Sequence, residues 1–169
     1  MASQCFSENV VYSTVAADDD IRGLYLQPCT SLIALTVRMS FLAEPWSSLP
    51  FNQAIFTVAS RIISSAPSSL RTLTFSIALD GKAETEDVFV RPFEQRISSD
   101  ATWLASLHAE LPFLERVVWH WRALSKQPVG WDKRKPGGLL KTLSGIVKEH
   151  LAPLDKRGML MFENDFEDE

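Results

Sequence analysis

Trp119, His120 and Trp121 stand together in LERVVWHWRAL, residues 114–124, in a chain with five tryptophans and three histidines. Two indoles beside an imidazole could cage a ligand, and an imidazole becomes catalytic only when a nucleophile or a metal joins it. No such partner is evident in the sequence. His108, His120 and His150 are scattered, and Cys5 and Cys29 lack the C-x2-C spacing of a metal site, so both cysteines read as small buried hydrophobes. The run Asp18–Asp19–Asp20 offers oxygen ligands for a hard cation but fits a solvated turn before a strand. KPGGLLKT, residues 135–142, lacks the G-x-x-x-x-G-K-[ST] order of a phosphate loop, and Pro136 removes an amide donor. It reads as a loop entering a helix. GWDKRKPGG places Lys133, Arg134 and Lys135 on a solvated loop, and no G-x-S-x-G nucleophile elbow occurs. The expectation is no catalytic, cofactor-binding or metal-binding residue, no cofactor, and a protein that is not an enzyme.

The role of the tryptophans follows from the elements that hold them. Three segments share one pattern, apolar-x-x-apolar-x-apolar-x-apolar: Leu32, Leu35, Val37, Met39; Leu70, Leu73, Phe75, Ile77; Leu114, Val117, Trp119, Trp121. Their closing alternation is the period of a strand with one face inward. Leu32 to Leu70 is 38 residues and Leu70 to Leu114 is 44. A fourth strand, GMLMFEN, begins at Gly158, again 44 residues on, with a less clear internal phase. Trp119 and Trp121 share the phase of Leu35/Val37 and Phe75/Ile77, so the indoles belong to the core wall. The off-phase positions are Thr36 and Arg38, Thr74 and Ser76, His120 and Arg122. These six are the candidate partner-binding residues.

Helical patterns separate the strands. NQAIFTVASRII places Ile55, Val58, Ala59, Ile62 and Ile63 on one face, with Asn52 as N-cap and Pro67 as stop. DATWLASLHAEL groups Trp103, Leu104, Leu107 and Leu111, capped by Asp100 and stopped by Pro112. A third stripe holds Leu139, Leu143, Ile146, Val147 and Leu151. Pro153 should interrupt it, and Gly158 suits the left-handed residue that ends it.

Alternating strands and helices imply parallel strands with right-handed crossovers. A doubly wound sheet would bury both strand faces and need continuous apolar runs. Here one face is apolar and the other polar, which favours α/β architecture as a short, irregular solenoid with helices on one side. The alternative is a small α/β enzyme with its site in the loops near 40–46, 80–92 or 125–137. VVYSTV at 10–15 could add an edge strand. Strand 21–26 could form a tight rung or a hairpin with 33–39.

Apolar residues make up 46% and charged residues 22%, ordinary values for one globular domain able to bury roughly 70% of its unfolded surface. A net charge of −4 argues against nucleic acid or an anionic membrane as partner. Two cysteines, no secretory signal and no long apolar run point to the cytoplasm or nucleus.

IRGLYLQPCTSL, residues 21–32, approximates the leucine-rich form L-x-x-L-x-L-x-x-[N/C]-x-L through Ile21, Leu24, Leu26 and Cys29. With the three strand motifs and the ending LAPLDKRGMLMFEND, the chain resembles the C-terminal part of fungal F-box and leucine-rich-repeat-like proteins over roughly residues 20–165. The resemblance implies 1–169 as one repeat domain: an N-terminal edge or cap segment 1–20, repeats 21–162 and an acidic tail 163–169. In that family an F-box engages a Skp-type adaptor of a ubiquitin ligase and the repeats select the substrate. No LP-x-E-[LI]-x-x-x-I signature stands near this start. The expected role is a non-catalytic protein-binding module, the substrate-recognition part of such a receptor, with another protein as partner.

Overall fold

Every second residue of three long strands is apolar, and burying that stripe organises the chain. In the computed structural model, which describes residues 9–13, 26, 30–41, 59–79, 87–123 and 136–165, β1 is Asn9–Ser13, β2 Ala34–Phe41, β3 Thr72–Leu79, β4 Arg116–Ala123 and β5 Leu160–Asn164. They form one five-stranded sheet in chain order, and every pairing is parallel. Parallel neighbours need a crossover each time. The helical residues 59–64, α1, lie in the second crossover. Helix α2, Asp87–Glu110, fills the third, and α3, Pro136–His150, with α4, Ala152–Asp155, belongs to the fourth. The fold is α/β. Among the described residues, no helix is long and apolar enough to cross a membrane.

The sequence repeat is the sheet register. Leu35, Leu73 and Val117 align across β2, β3 and β4, as do Val37, Phe75 and Trp119, then Met39, Ile77 and Trp121. All nine are at most 2% exposed. They share one core with Ile62, Ile63, Phe93, Ile97, Leu104, Leu107, Leu143, Val147 and Leu154 from the helices. We call this side of the sheet the back. Ahead of the strands, Leu32, Leu70 and Leu114 seal successive corners at 0%, 0% and 7% exposure. The same backbone link repeats there: the Ile33 carbonyl accepts from the N–H groups of Arg71 and Thr72, and the Arg71 carbonyl from those of Glu115 and Arg116.

Two expectations are corrected. Helix α2 begins at Asp87, so Asp100 is an interior residue, not an N-cap, and 87–92 is not loop. Pro92 sits inside the helix, where a missing N–H normally argues for a break. Phe93 and Ile97, 2% and 0% exposed, extend the apolar stripe upstream and outweigh that loss. Of segment 21–26 only Leu26, which is buried, is among the described residues, and the choice between a rung and a hairpin with 33–39 lies outside them. The fourth strand is one residue out of phase with the spacing read from Leu114: register aligns Val117 with Leu160, and therefore Leu114 with Arg157 rather than Gly158. Asn52, Ile55 and Val58 of the first helical pattern lie outside the described residues.

The last helical segment follows its sequence signals. Leu139, Leu143, Val147 and Leu151 are buried, and Pro153 stands at the start of α4, where its ring is tolerated. Gly158 has φ of 69°. Its N–H donates to the Asp155 carbonyl at 2.8 Å and that of Met159 to Leu154 at 3.1 Å, the paired bonds of a Schellman ending. A Cβ at Gly158 would meet nothing within 4 Å, so alanine there should cost only the left-handed strain, about 1–2 kcal/mol. A Cβ at Gly145, inside α3, also meets nothing within 4 Å. Gly145→Ala should therefore stabilise by about 0.5–1 kcal/mol. Urea unfolding of the two variants checks the opposite signs.

Asp100 Oδ2 lies 2.8 Å from Arg96 Nε. Burial pushes its carboxyl above the usual aspartate range, and Arg96 pulls partly back. A raised carboxyl pKa means the folded state holds the proton more tightly, so this contribution is complete below the unfolded pKa and is lost as pH rises through the folded one. Asp100→Asn should gain stability relative to the parent as pH rises from strongly acidic to neutral. Paired urea unfolding at the two extremes measures it.

Candidate functional site

Strand alternation that sends Phe75 and Trp119 backward sends their neighbours to the opposite, front side. Three rows cross β2 to β5 there. Thr36, Thr74, Val118 and Met161 are in register, and beside them Arg38, Ser76, His120 and Glu163. Ala78 pairs with Arg122, and one residue past Asn164 the Asp165 N–H donates to the Trp121 carbonyl at 3.0 Å, prolonging the ladder. At the start of the strands Thr72 pairs with Arg116.

All six sequence-selected residues therefore lie together on one surface. Arg38 is exposed, while Thr36, Thr74, His120 and Arg122 are half-buried. Ser76 differs: it is 2% exposed, and Ala78 beside it also 2%. Both are short side chains on the central strand; Ser76 is in register between Arg38 and His120, and Ala78 between Ser40 and Arg122. Val118, 6% exposed, adds an apolar element to a face otherwise rich in hydroxyls and charge.

The strongest polar contact on the front joins the last two strands. His120 Nε2 donates to Asp165 Oδ1 at 2.7 Å, with side chains 23% and 54% exposed. The residues 163–165 therefore continue the sheet rather than begin a frayed tail; 166–169 lie outside the described residues. Glu163 stands in the His120 row. The Arg122 Nε is shielded from solvent and has no hydrogen-bond partner among the described residues.

Chemically, Ser76, His120 and Asp165 combine the residue types of a nucleophile, a base and its orienting acid. Ser76 lies in mid-strand and almost closed to solvent, which leaves a substrate carbonyl no approach to its hydroxyl. The arrangement suits binding through charge and hydrogen bonds. Trp119 and Trp121, 0% and 1% exposed, face the back, where the Trp121 indole N–H donates to Ser144 Oγ at 3.2 Å. Among the described residues no three His, Cys, Asp or Glu side chains gather as a metal site. Cys5, Cys29, the aspartates 18–20 and the basic loop at 133–135 lie outside the described residues, and Lys141 is exposed on α3.

Sequence reasoning missed Arg116, Glu163 and Asp165. Arg116 was detectable, since it continues the even-numbered phase of His120 and Arg122. The two acids required the correct phase of β5, because a one-residue slip exchanges the faces of a strand.

No family model, no curated protein and no solved structure matches this chain.

The His120–Asp165 pair is half in solvent, so its coupling should be small, about 0.2–1 kcal/mol in a double-mutant cycle of His120→Gln and Asp165→Asn followed by urea unfolding. A hydrogen-exchange measurement should show the Asp165 amide opening sooner in both single variants, because this bond fastens the end of the edge strand.

Proposed function

We propose that the chain is a non-catalytic protein–protein interaction module that offers the front of its sheet to another protein. Its frame is a short, irregular leucine-rich-repeat-like solenoid, and its role is substrate recognition in an F-box-type ubiquitin-ligase receptor. The observation that carries the reading is the set of front rows. Arg38, Ser76 and His120, with Thr36 and Thr74 beside them, stand side by side across parallel strands while the helices contribute to the core behind. The in-order parallel sheet supports the solenoid frame, because successive right-handed crossovers between sequential neighbours all pass on the same side. Such a frame leaves one sheet face available to a partner. The likeness of the strand motifs and of LAPLDKRGMLMFEND to F-box and leucine-rich-repeat-like proteins supports the receptor role.

Affinity capture from the native cell, scored for a Skp-type adaptor and for other specific proteins, tests the assignment. Binding of a purified partner should fall at least about tenfold when Arg38→Glu, His120→Glu and Arg122→Glu are combined, through loss of attraction and new repulsion. Unchanged binding would remove the front face as the contact surface, and capture of a partner without the adaptor would separate the binding role from the ligase role.

A further inference from the structure

We infer that β5 pairs edge to edge with β5 of a second copy of this chain, antiparallel about a two-fold axis at Met161, joining two five-stranded sheets into one. This inference is independent of what the front face binds.

The edge itself is the first support. β5 ends the strand order, and among the described residues no strand lies beyond it. Its inner backbone groups are engaged: the Met159 carbonyl accepts from the Val117 N–H, and the Asp165 N–H donates to the Trp121 carbonyl. Both are odd-numbered positions. Backbone groups alternate sides along a strand, so Leu160 and Phe162 aim theirs outward. The strand reads LMFEN, without the proline or lysine that commonly blunts an edge. Its apolar side chains are also incompletely covered. Met161 is 40% exposed on the front, and Leu160 and Phe162 are only partly buried against the core.

Self-complementarity is the second support, and it selects the occupant. KRGMLMFEND, residues 156–165, is basic at its start, apolar in the middle and acidic at its end. Lys156, Arg157, Glu163 and Asp165 are all exposed. A parallel copy would set like charges together at both ends. An antiparallel copy instead sets the basic end of each chain beside the acidic end of the other. The apolar run Leu160–Met161–Phe162 is centred on Met161. With the axis there, Leu160 of each copy faces Phe162 of the other, and Met161 faces its own equivalent. The two outward-aimed residues then form reciprocal hydrogen-bonded pairs, with the axis passing through the non-bonded pair between them. Facing residues share a side of the sheet in this register, so both fronts look the same way.

Helix spacing is the third. Helix α3 straddles β4 and β5: Ser144 accepts from the Trp121 indole, and Lys148 lies over the Phe162 ring. Across the axis the two α3 helices stand two strand spacings apart, roughly 9–10 Å. That is the ordinary separation of packed helices, so the helical layer continues behind the joined sheet. Edges this short bury little area, and the dimer should dissociate on dilution.

The test is sedimentation velocity of the full chain from about 1 µM to about 1 mM. The parent should pass from monomer to dimer and stop there, since a two-fold contact closes. Met161→Lys and Met161→Glu each change an exposed front side chain and leave the core untouched. Each alone sets like charges opposite one another at the axis and should weaken the dimer at least about tenfold. Their equimolar mixture should restore a heterodimer of about the parent's affinity. Misfolded chains cannot produce that rescue, and circular dichroism of each variant should match the parent. Arg157→Glu should weaken the dimer about threefold by opposing the acidic end. Arg38→Gln, three strands away on β2, should leave it unchanged. A monomer at every concentration, a dimer indifferent to both Met161 variants, or a mixture of folded variants that stays monomeric would overturn the inference. So would growth beyond the dimer, or a stronger dimer in Met161→Lys, which would set Met161 opposite Glu163 and move the axis to Phe162.

Discussion

Stacking of Phe75 on Trp119 governs the arrangement of this protein. The rings lie 4.8 Å apart at 29°, on the adjacent strands β3 and β4. Phe93 of α2 meets Trp119 edge-on at 6.2 Å and Trp121 at 5.6 Å. The four rings lock two strands and the longest helix into one packed unit. Aromatic pairs of this kind add about 0.5–1.5 kcal/mol beyond the area they bury, and each large ring contributes more by leaving water. An extended strand cannot turn Trp119 inward without turning His120 outward. The chemistry of the front face is therefore a geometric consequence of the aromatic wall behind it.

Neighbours on the front face are set by register. Ser76 and His120 are adjacent because Phe75 and Trp119 are. Asp165 reaches His120 because β5 is placed by Leu160 and Phe162 packing against the core and by the Schellman turn at Gly158 that delivers the strand. Lys148, 5.4 Å above the Phe162 ring, adds a cation–π contact from α3. Polar groups far apart in the chain thus meet through apolar choices made on the other side of the sheet.

Much of the fold was legible from residue spacing. The stripes at Leu35, Leu73 and Val117 coincide with the sheet register, because alternation is a local property that each strand carries whole. Pro153 and Gly158 were readable for the same reason: each constrains its own backbone angle. The start of α2 was not. Asp100 has the chemistry of a cap and Pro92 that of a breaker, yet the helix runs through both. The burial of Phe93 against the tryptophans, a long-range contact, overrides those local preferences. Of the front surface, Thr36, Arg38, Thr74, Ser76, His120 and Arg122 followed from phase alone. The burial of Ser76 did not, because burial depends on what packs over the strand from elsewhere in the chain.

The amino-acid sequence by itself determined which side chains of β2, β3 and β4 share a face, since a two-residue period leaves a strand only two sides. Tertiary structure alone decided the strand order, the parallel place of β1 beside β2, the phase of β5 and the meeting of His120 with Asp165. Those features depend on which apolar surfaces find one another across the chain, and a side chain carries no local mark of its distant neighbour.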